Sequence, residues 1–354
     1  MEHHMETSNE RGQVFRLGQP WQGIPPFLFA NWHVDHYPAG NEDMAPAEGS
    51  GGRELGADFG HPSGWSMYHG QTVPGFPAHP HRGFETITIV ERGYIDHADS
   101  LGAVARFGAG DVQWLTAGRG ISHSEMFPLL NTDEDNPSEL FQIWLNLPAA
   151  SKLVDPEFRM LWGEDIPVVR SVGPNGGAAS VKVIAGRYET RRDTGVGIDP
   201  LAPPVGSWAA DPASDVAVWL IELEPHAEVE LPAQAADRAQ RVLYVYGEDS
   251  HATIEGLEVA GGFGFAQNGR DTTLIETGES GAKLLLLQGV PIDEPVAQHG
   301  PFVMNTREEL VESFEEYQRT QFGGWPWDRD DVVHPREEGR FARHVDGRVE
   351  RPSV

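Results

Sequence analysis

The sequence predicts an all-β protein made of two barrels or sandwiches of similar size. The chain has 354 residues, more than one compact domain usually holds. Its 41 glycines and 27 prolines are spread along the whole length, as expected for many short strands joined by tight turns. Two series of alternating or β-branched segments, from about Pro26 to Pro148 and from Val181 to Val290, carry this pattern.

The two series resemble each other closely enough to be aligned by hand. Residues 76–78, followed by a strand and Gly93, match residues 231–233, followed by a strand and Gly247. A Pro- and Gly-rich connection at about 167–177 separates the two series. Duplication of an all-β unit of this size gives two packed β-domains.

A helix is predicted only near the end of the chain. Asn305 and Thr306 precede the run 307–317, in which Leu310, Phe314 and Tyr317 share one helical face. Beyond it the chain is charged and contains proline, so we expect residues 328–354 to be loosely ordered. The predicted boundaries are a polar N-terminal tail at 1–24, a first domain at 25–165, a linker at 166–180, a second domain at 181–300, a helical segment at 301–325 and a charged tail at 326–354.

Composition excludes several classes of function. With 54 acidic and 26 basic side chains, the formal charge of −28 disfavours direct nucleic-acid binding, which depends on Lys and Arg. The acidity indicates a solvated surface, and adaptation to a salty cytoplasm is a second hypothesis. No stretch has the apolar length of a signal peptide or membrane span, so no membrane partner and a cytoplasmic location are expected.

Two short patterns in the first half indicate a metal site. The chain has no cysteine, so a metal ion would need histidine and carboxylate ligands. Side chains alternate between the faces of a strand, so His79 and His81 lie on one side, and so do His123 and Glu125. Three nitrogen ligands and one oxygen ligand suit Fe, Mn, Ni, Cu or Zn and leave positions for water, dioxygen or substrate.

The second half lacks this set. The alignment puts Gln234, Ala236 and Leu274 opposite the three histidines and Glu276 opposite Glu125. One half is therefore expected to bind metal and the other not.

Other residues near these patterns have weaker assignments. Phe84, Trp114 and Phe127 adjoin the ligand segments and are candidates to line a pocket, although core packing is the default for aromatic residues. Arg82 is a candidate to bind an anionic substrate or to brace the barrel. His97 follows a strand and is expected to orient a loop or lie near the cavity rather than to bind metal.

Several strings that contain these residues match a known protein family. The chain resembles the pirin family of the cupin superfamily over roughly Pro25 to Trp325, and the matching strings are 79–86, 110–126, 142–148 and 300–306. The resemblance implies two tandem cupin barrels, double-stranded β-helices of jelly-roll type, with a short C-terminal helix. It also implies one metal ion, usually Fe(II), on the residues matching His79, His81, His123 and Glu125, with Mn, Ni, Cu, Co or Zn as alternatives. The more general cupin pattern would use Glu85 as a ligand, but in pirins that role falls to Glu125.

The resemblance implies two alternative functions. One is oxygenolytic cleavage of a flavonol or related enolic substrate, as in quercetin 2,3-dioxygenases, with dioxygen as co-substrate and Glu125 as the catalytic base. The other is a non-enzymatic, iron-dependent regulator that binds a transcription factor or metabolic enzyme, and the acidic surface fits such a protein partner. A third hypothesis is that the metal ion has only a structural role and stabilises the fold.

Overall fold

The computed structural model describes residues 7–49, 51–189 and 197–353. Within them the chain consists mostly of strands, with one α-helix, so the all-β prediction is confirmed. No helix in these ranges has the length and apolar character needed to cross a bilayer. The first six residues of the expected N-terminal tail lie outside the described residues.

The strands are mostly short and follow one another through tight turns. In the first part of the chain they are β1 Ser8–Asn9, β2 Gly12–Arg16, β3 Trp21–Gln22, β4 Phe27–Tyr37, β5 Gly75–His81, β6 Phe84–Arg92, β7 Tyr94–Asp99, β8 Val104–Gly108, β9 Val112–Thr116, β10 Ile121–Met126, β11 Asn136–Asn146, β12 Glu157–Leu161, β13 Val168–Val172 and β14 Ala178–Ala185. In the remainder they are β15 Tyr188–Glu189, β16 Gly197–Ile198, β17 Ala217–Leu223, β18 Glu228–Leu231, β19 Gln240–Tyr246, β20 His251–Ile254, β21 Leu257–Ala260, β22 Phe263–Gln267, β23 Thr273–Glu276, β24 Ala282–Gly289, β25 Ala297–His299, β26 Phe302–Met304, β27 Phe341–Arg343 and β28 Val349–Glu350. The helix α1 spans Arg307–Thr320, and 3₁₀ turns occur at Ala149–Ser151, Trp208–Ala210, Pro212–Ser214, Gln321–Gly323 and Arg336–Glu338.

The chain divides into two compact units whose boundaries differ from those expected. The first unit contains residues 31–165 and 294–354, and the second contains residues 1–30 and 166–293. The helical segment and the charged tail thus belong to the first unit. The expected N-terminal tail belongs to the second unit, because β2 pairs with β22 along its whole length.

The first unit is a barrel of two facing sheets. One sheet has the strand order β28-β27-β8-β7-β10-β5, and the other contains β12, β9, β6 and β11 in that order. Ile95 and Ile121 from the first sheet and Leu115 and Leu140 from the second are buried in one apolar cluster. Burying such side chains is worth about 1.5–3 kcal/mol each, and this burial drives the closure of the barrel.

The second unit repeats this architecture. Strands β18 to β24 follow the same order and pairing as β5 to β11: β18-β23-β20-β21 corresponds to β5-β10-β7-β8, and β22-β19-β24 to β9-β6-β11. The turn glycines that the alignment matched, Gly93 and Gly247, both have positive φ angles, of 80° and 87°. The internal duplication read from the sequence is therefore present in the strand topology.

The alignment was nevertheless wrong by one residue on β23. Ile275 faces the apolar core of the second unit, whereas Glu276 lies on the other face of the strand. Core positions on the neighbouring strands are held by Val229, Leu231 and Ile254. The second barrel thus has an apolar interior on the strands that carry the histidines in the first.

The predicted helix forms and packs on the first unit. Thr306 is the N-cap, and its side chain and that of Glu309 form a reciprocal capping box. The chain before the helix is fixed by Lys152, whose buried ammonium donates to the carbonyls of Gly83 and Val303 at 2.8 and 3.0 Å. Gly83 has a φ of +83°, and a Cβ there would lie 2.0 Å from the Val303 oxygen, so this approach requires glycine.

The expectation of a loosely ordered C-terminus was wrong. Residues 325–350, here called the C-terminal strap, lie along the sheet that contains β10. In the strap β27 pairs with β8, and Trp327 donates its indole N–H to the Asp99 carbonyl at 2.8 Å. Buried Arg106 forms an ion pair with Asp96 and also donates to the strap carbonyl of His334. These partners are distant in sequence, and they supply the order that local composition does not.

Candidate metal centre

Strand pairing brings the two histidine segments together. In the antiparallel pair of β10 and β5, His123 lies directly opposite His79, and Ile121 lies opposite His81. Directly opposed side chains share one face of a sheet, and so do residues two apart along a strand. His79, His81 and His123 therefore project together from the inner face of the sheet.

The three imidazoles form a cluster that can hold a metal ion. One nitrogen from each ring lies within 4.8 Å of the corresponding nitrogens of the other two. Nδ1 of His79 lies 2.9 Å from the Pro77 carbonyl, which fixes the proton on Nδ1 and leaves Nε2 as a lone pair. His81 and His123 are buried, at 4% and 0% exposure.

Several buried nitrogen atoms of the cluster have no hydrogen-bond partner among the described residues. They are Nδ1 of His81 and both ring nitrogens of His123. Buried polar atoms without partners are rare in folded proteins and require a reason. A transition-metal ion accepts imidazole lone pairs in this way, so the donor set fits such an ion.

Burial keeps these histidines neutral. It lowers the pKa of His79 to about 4, although the Pro77 carbonyl opposes the shift slightly. It lowers the pKa of His81 and of His123 well below the usual value. Neutral imidazole is the form that binds metal, so near pH 7 the cluster is ready to accept an ion.

Glu125 adds a carboxylate beside the cluster. Its Oε2 lies 3.7 Å from Nε2 of His123. Gln142 donates to the same oxygen at 2.9 Å, and Thr88 donates to Oε1 at 3.2 Å. Burial raises the pKa of Glu125, and the neighbouring His97 and these two hydrogen bonds partly oppose that shift. The carboxylate is thus a stronger base than one on the surface.

A small cavity lies next to Glu125. Thr88, Gln142 and His33 supply polar groups to its wall, and Phe76 and Phe127 supply aromatic ones. Its free space for the centre of a water molecule is about 10 Å³, which corresponds to about one water. Phe127 lies in the wall of this small cavity, and its predicted place in a substrate pocket stays a prediction.

Glu85 and Trp114 lie on the faces of their strands that point away from the barrel interior. Thr88 points from β6 into the barrel, so Glu85, three residues away, points outward. Trp114 lies opposite Ile87 in the neighbouring strand and shares that outer face. It donates to Glu85 at 3.1 Å, and Thr116 donates to the same carboxylate at 2.6 Å. Trp114 is therefore no pocket residue, and Glu85 has the structural role expected of it.

The remaining two candidates differ from each other. Phe84 is fully buried, with its ring 5.1 Å from that of His81 and 4.1 Å from that of Trp144, so it forms an apolar wall beside the cluster. Arg82 was expected either to bind an anionic substrate or to brace the barrel, and its contacts match the second role. It pairs with Glu316 of α1 at 2.7 Å and braces the helix against the barrel.

His97, expected to orient a loop or to lie near the cavity, lies in the barrel interior beside the cluster. It lies opposite Glu125 in the pairing of β10 with β7, so both side chains face the interior. The His97 ring is fully buried, 5.5 Å from the ring of His123. The alternation of His97 and Asp99 on a strand that pairs with the His123 segment was the signal that could have placed it.

Family models match both halves of the chain. The model described as Pirin matches residues 56–145, and the model described as Pirin C-terminal cupin domain matches residues 218–323. Each match falls largely on one barrel, and the first contains all four residues proposed from the sequence as ligands.

Related proteins include one named for quercetin 2,3-dioxygenase and one named pirin. A protein named "Putative quercetin 2,3-dioxygenase" from Pseudomonas aeruginosa is 36% identical over 69% of this chain and 79% of its own length. Rat pirin is 31% identical over 72% of this chain and 80% of its own length. A crystal structure of quercetin 2,3-dioxygenase from Acinetobacter baumannii superposes with a TM-score of 0.65 at 25% identity, covering 91% of this chain and 96% of that one. The chain is therefore a member of the pirin family, with two cupin barrels.

Proposed function

We propose that this protein is a metal-dependent dioxygenase of the quercetin 2,3-dioxygenase type. In this proposal His79, His81, His123 and Glu125 hold one metal ion, and the substrate is a flavonol or a related enolic compound. The observation that carries the proposal is the convergence of three neutral imidazoles, two of them buried and one half-buried, and one buried carboxylate inside the first barrel. The names of the Pseudomonas aeruginosa and Acinetobacter baumannii relatives support the choice of reaction.

In this proposal each residue around the cluster has a separate role in the reaction. When bound, the metal ion would act as a Lewis acid toward the substrate hydroxyl group. Glu125, with its pKa raised by burial, takes the hydroxyl proton. Gln142 and Thr88 fix the direction of its carboxylate. Phe84 and Trp144 keep water away from one side of His81.

Access to the cluster is from the side of His79. His79 and its neighbours Ala78 and Pro80 are half-buried, whereas His81, His123 and Glu125 are buried. We propose Fe(II) as the physiological ion, since histidine and carboxylate ligands with open positions suit non-haem iron. The same donors also accept Mn, Ni, Cu, Co or Zn.

The test is dioxygen consumption with quercetin. The protein is purified without oxygen, loaded with Fe²⁺ and given quercetin and air-saturated buffer. Rapid uptake is expected from the native protein and none from the His81→Ala variant. The matched control is His69→Ala, because His69 is exposed and lies outside the cluster.

A second candidate function is a metal-dependent regulator that binds a protein partner. The formal charge of −28 favours it, because it suits a basic partner surface. Absence of uptake with Fe, Mn, Ni, Cu and Co in turn would refute the dioxygenase proposal. Metal-dependent capture of a defined partner by the native protein, lost in His81→Ala, would then support the regulator.

A further inference from the structure

His97 and Asp99 form a buried pair beside the histidine cluster. Nε2 of His97 lies 3.2 Å from Oδ2 of Asp99. The other oxygen, Oδ1, accepts the backbone N–H groups of Leu101 and Ala103 at 2.9 and 3.0 Å. A carboxylate only accepts hydrogen bonds, so Nε2 of His97 carries a proton.

The second ring nitrogen of His97 has no hydrogen-bond partner in the part of the chain that the structure describes. Nδ1 is buried and lacks a hydrogen bond among the described residues. With the proton on Nε2, Nδ1 of the neutral ring is a lone pair that needs a donor. The ring of His334 bonds the backbone carbonyl of His97, at 3.1 Å, and so does not satisfy Nδ1.

The His97 ring lies beside the proposed metal site. His97 lies opposite Glu125 and next to the ring of His123, while its other neighbour is the apolar ring of Phe158 at 5.2 Å. In the second barrel the strand corresponding to β7 is β20, and it buries Ala252 and Ile254. The polar pair thus occurs in the barrel that contains the histidine cluster.

We propose that His97 is a positioning residue whose Nδ1 accepts a hydrogen bond from an O–H group, of water or substrate, at the open position of the metal site. The inference rests on the metal ligands proposed above. Asp99 sets the direction of the bond, since it holds the proton on Nε2. The pair would orient an O–H ligand and disfavour a ligand that can only accept hydrogen bonds.

The Asp99→Asn variant exchanges the donor and acceptor roles of the two His97 ring nitrogens, with little change in the shape of the side chain at position 99. The amide oxygen can keep both backbone hydrogen bonds, while the amide NH₂ donates to Nε2 and moves the imidazole proton to Nδ1. ¹⁵N NMR of the metal-free proteins should report protonated Nε2 in the native protein and protonated Nδ1 in Asp99→Asn. This readout involves neither metal nor turnover.

The azide affinity of the Co²⁺-loaded proteins tests whether Nδ1 of His97 acts as a hydrogen-bond acceptor at the metal site. Azide accepts hydrogen bonds but lacks a proton to donate, so a donor at Nδ1 should favour it. We expect azide to bind about tenfold tighter to Asp99→Asn than to the native protein, with His97→Leu between them. The Co²⁺ affinity should change by less than about threefold, since neither residue is a proposed ligand. Asp346→Asn, at an exposed position in the strap, is the control and should match the native protein.

Equal azide affinity in all these proteins, or protonated Nδ1 in the native protein, would overturn the inference. His97→Leu gives an independent answer should Asp99→Asn not fold. The expected azide order, combined with no dioxygen uptake on quercetin, would support the role of His97 while refuting the dioxygenase proposal. Failure of Co²⁺ to bind would refute the ligand set and the inference that rests on it.

Discussion

Metal binding at pH 6.0 should release almost no protons from the three clustered histidines. At this pH an imidazole with the ordinary pKa of 6.5 is about three-quarters protonated, so three such groups would release about 2.3 protons. With a pKa of about 4, His79 carries a proton in about one molecule in a hundred. The pKa values of His81 and His123 lie well below the ordinary value, so these residues add little more.

Calorimetry can count these protons. Co²⁺ is titrated into the metal-free protein in several buffers that differ in ionisation enthalpy, and the slope of the observed enthalpy gives the number released. Burial raises the pKa of Glu125, so the Glu125→Gln variant is measured in parallel to remove any proton from that carboxylate. We expect fewer than about 0.5 protons from this variant. Release of about two protons or more would refute the conclusion that burial holds the cluster neutral.

Three further predictions concern the environment of the site. In Gln142→Leu the carboxylate of Glu125 loses a hydrogen bond that lowers its pKa, so the acidic limb of the pH profile for dioxygen uptake should move to higher pH; an unmoved limb would contradict this. Arg106→Met should reduce the free energy of unfolding by about 3–5 kcal/mol, because it leaves Asp96 as an unpaired buried charge, and should expose the strap to proteolysis; equal urea denaturation curves for Arg106→Met and the exposed Arg343→Met would argue against it. Free metal at a hundred times its Kd should raise the free energy of unfolding by about 2.7 kcal/mol, with the gain lost on adding a chelator, and a gain retained in His81→Ala would point to binding elsewhere.

Much of the site follows from local sequence patterns. The spacing of His79 with His81 and of His123 with Glu125 predicted that each pair shares a face, and the register of β5 and β10 brings both pairs to the same inner surface. The same rule, applied to β6, separates Thr88 from Glu85. It could not be applied from sequence alone, because β6 is buried on both faces and hydrophobicity does not distinguish them.

The remaining features depend on contacts between distant residues. The strap has a charged, loop-like composition, yet Arg106 and β8 give it buried partners more than 200 residues away in sequence. Glu276 was misassigned by one position, since a single-residue slip reverses the face of every side chain in a strand. For His97 the sequence left two positions open, in a loop or near the cavity, and the pairing with Glu125 places it in the interior.

The division of the first unit into residues 31–165 and 294–354 has a consequence for biosynthesis. A ribosome completes residues 166–293 before Val303 and His334, the C-terminal partners of Lys152 and Arg106, have been made. All the proposed ligands leave the ribosome early, but the barrel around them is finished last. Stable loading of the ion is therefore expected only after translation ends, and a chain stalled near residue 293 should contain a folded second barrel without a retained metal ion.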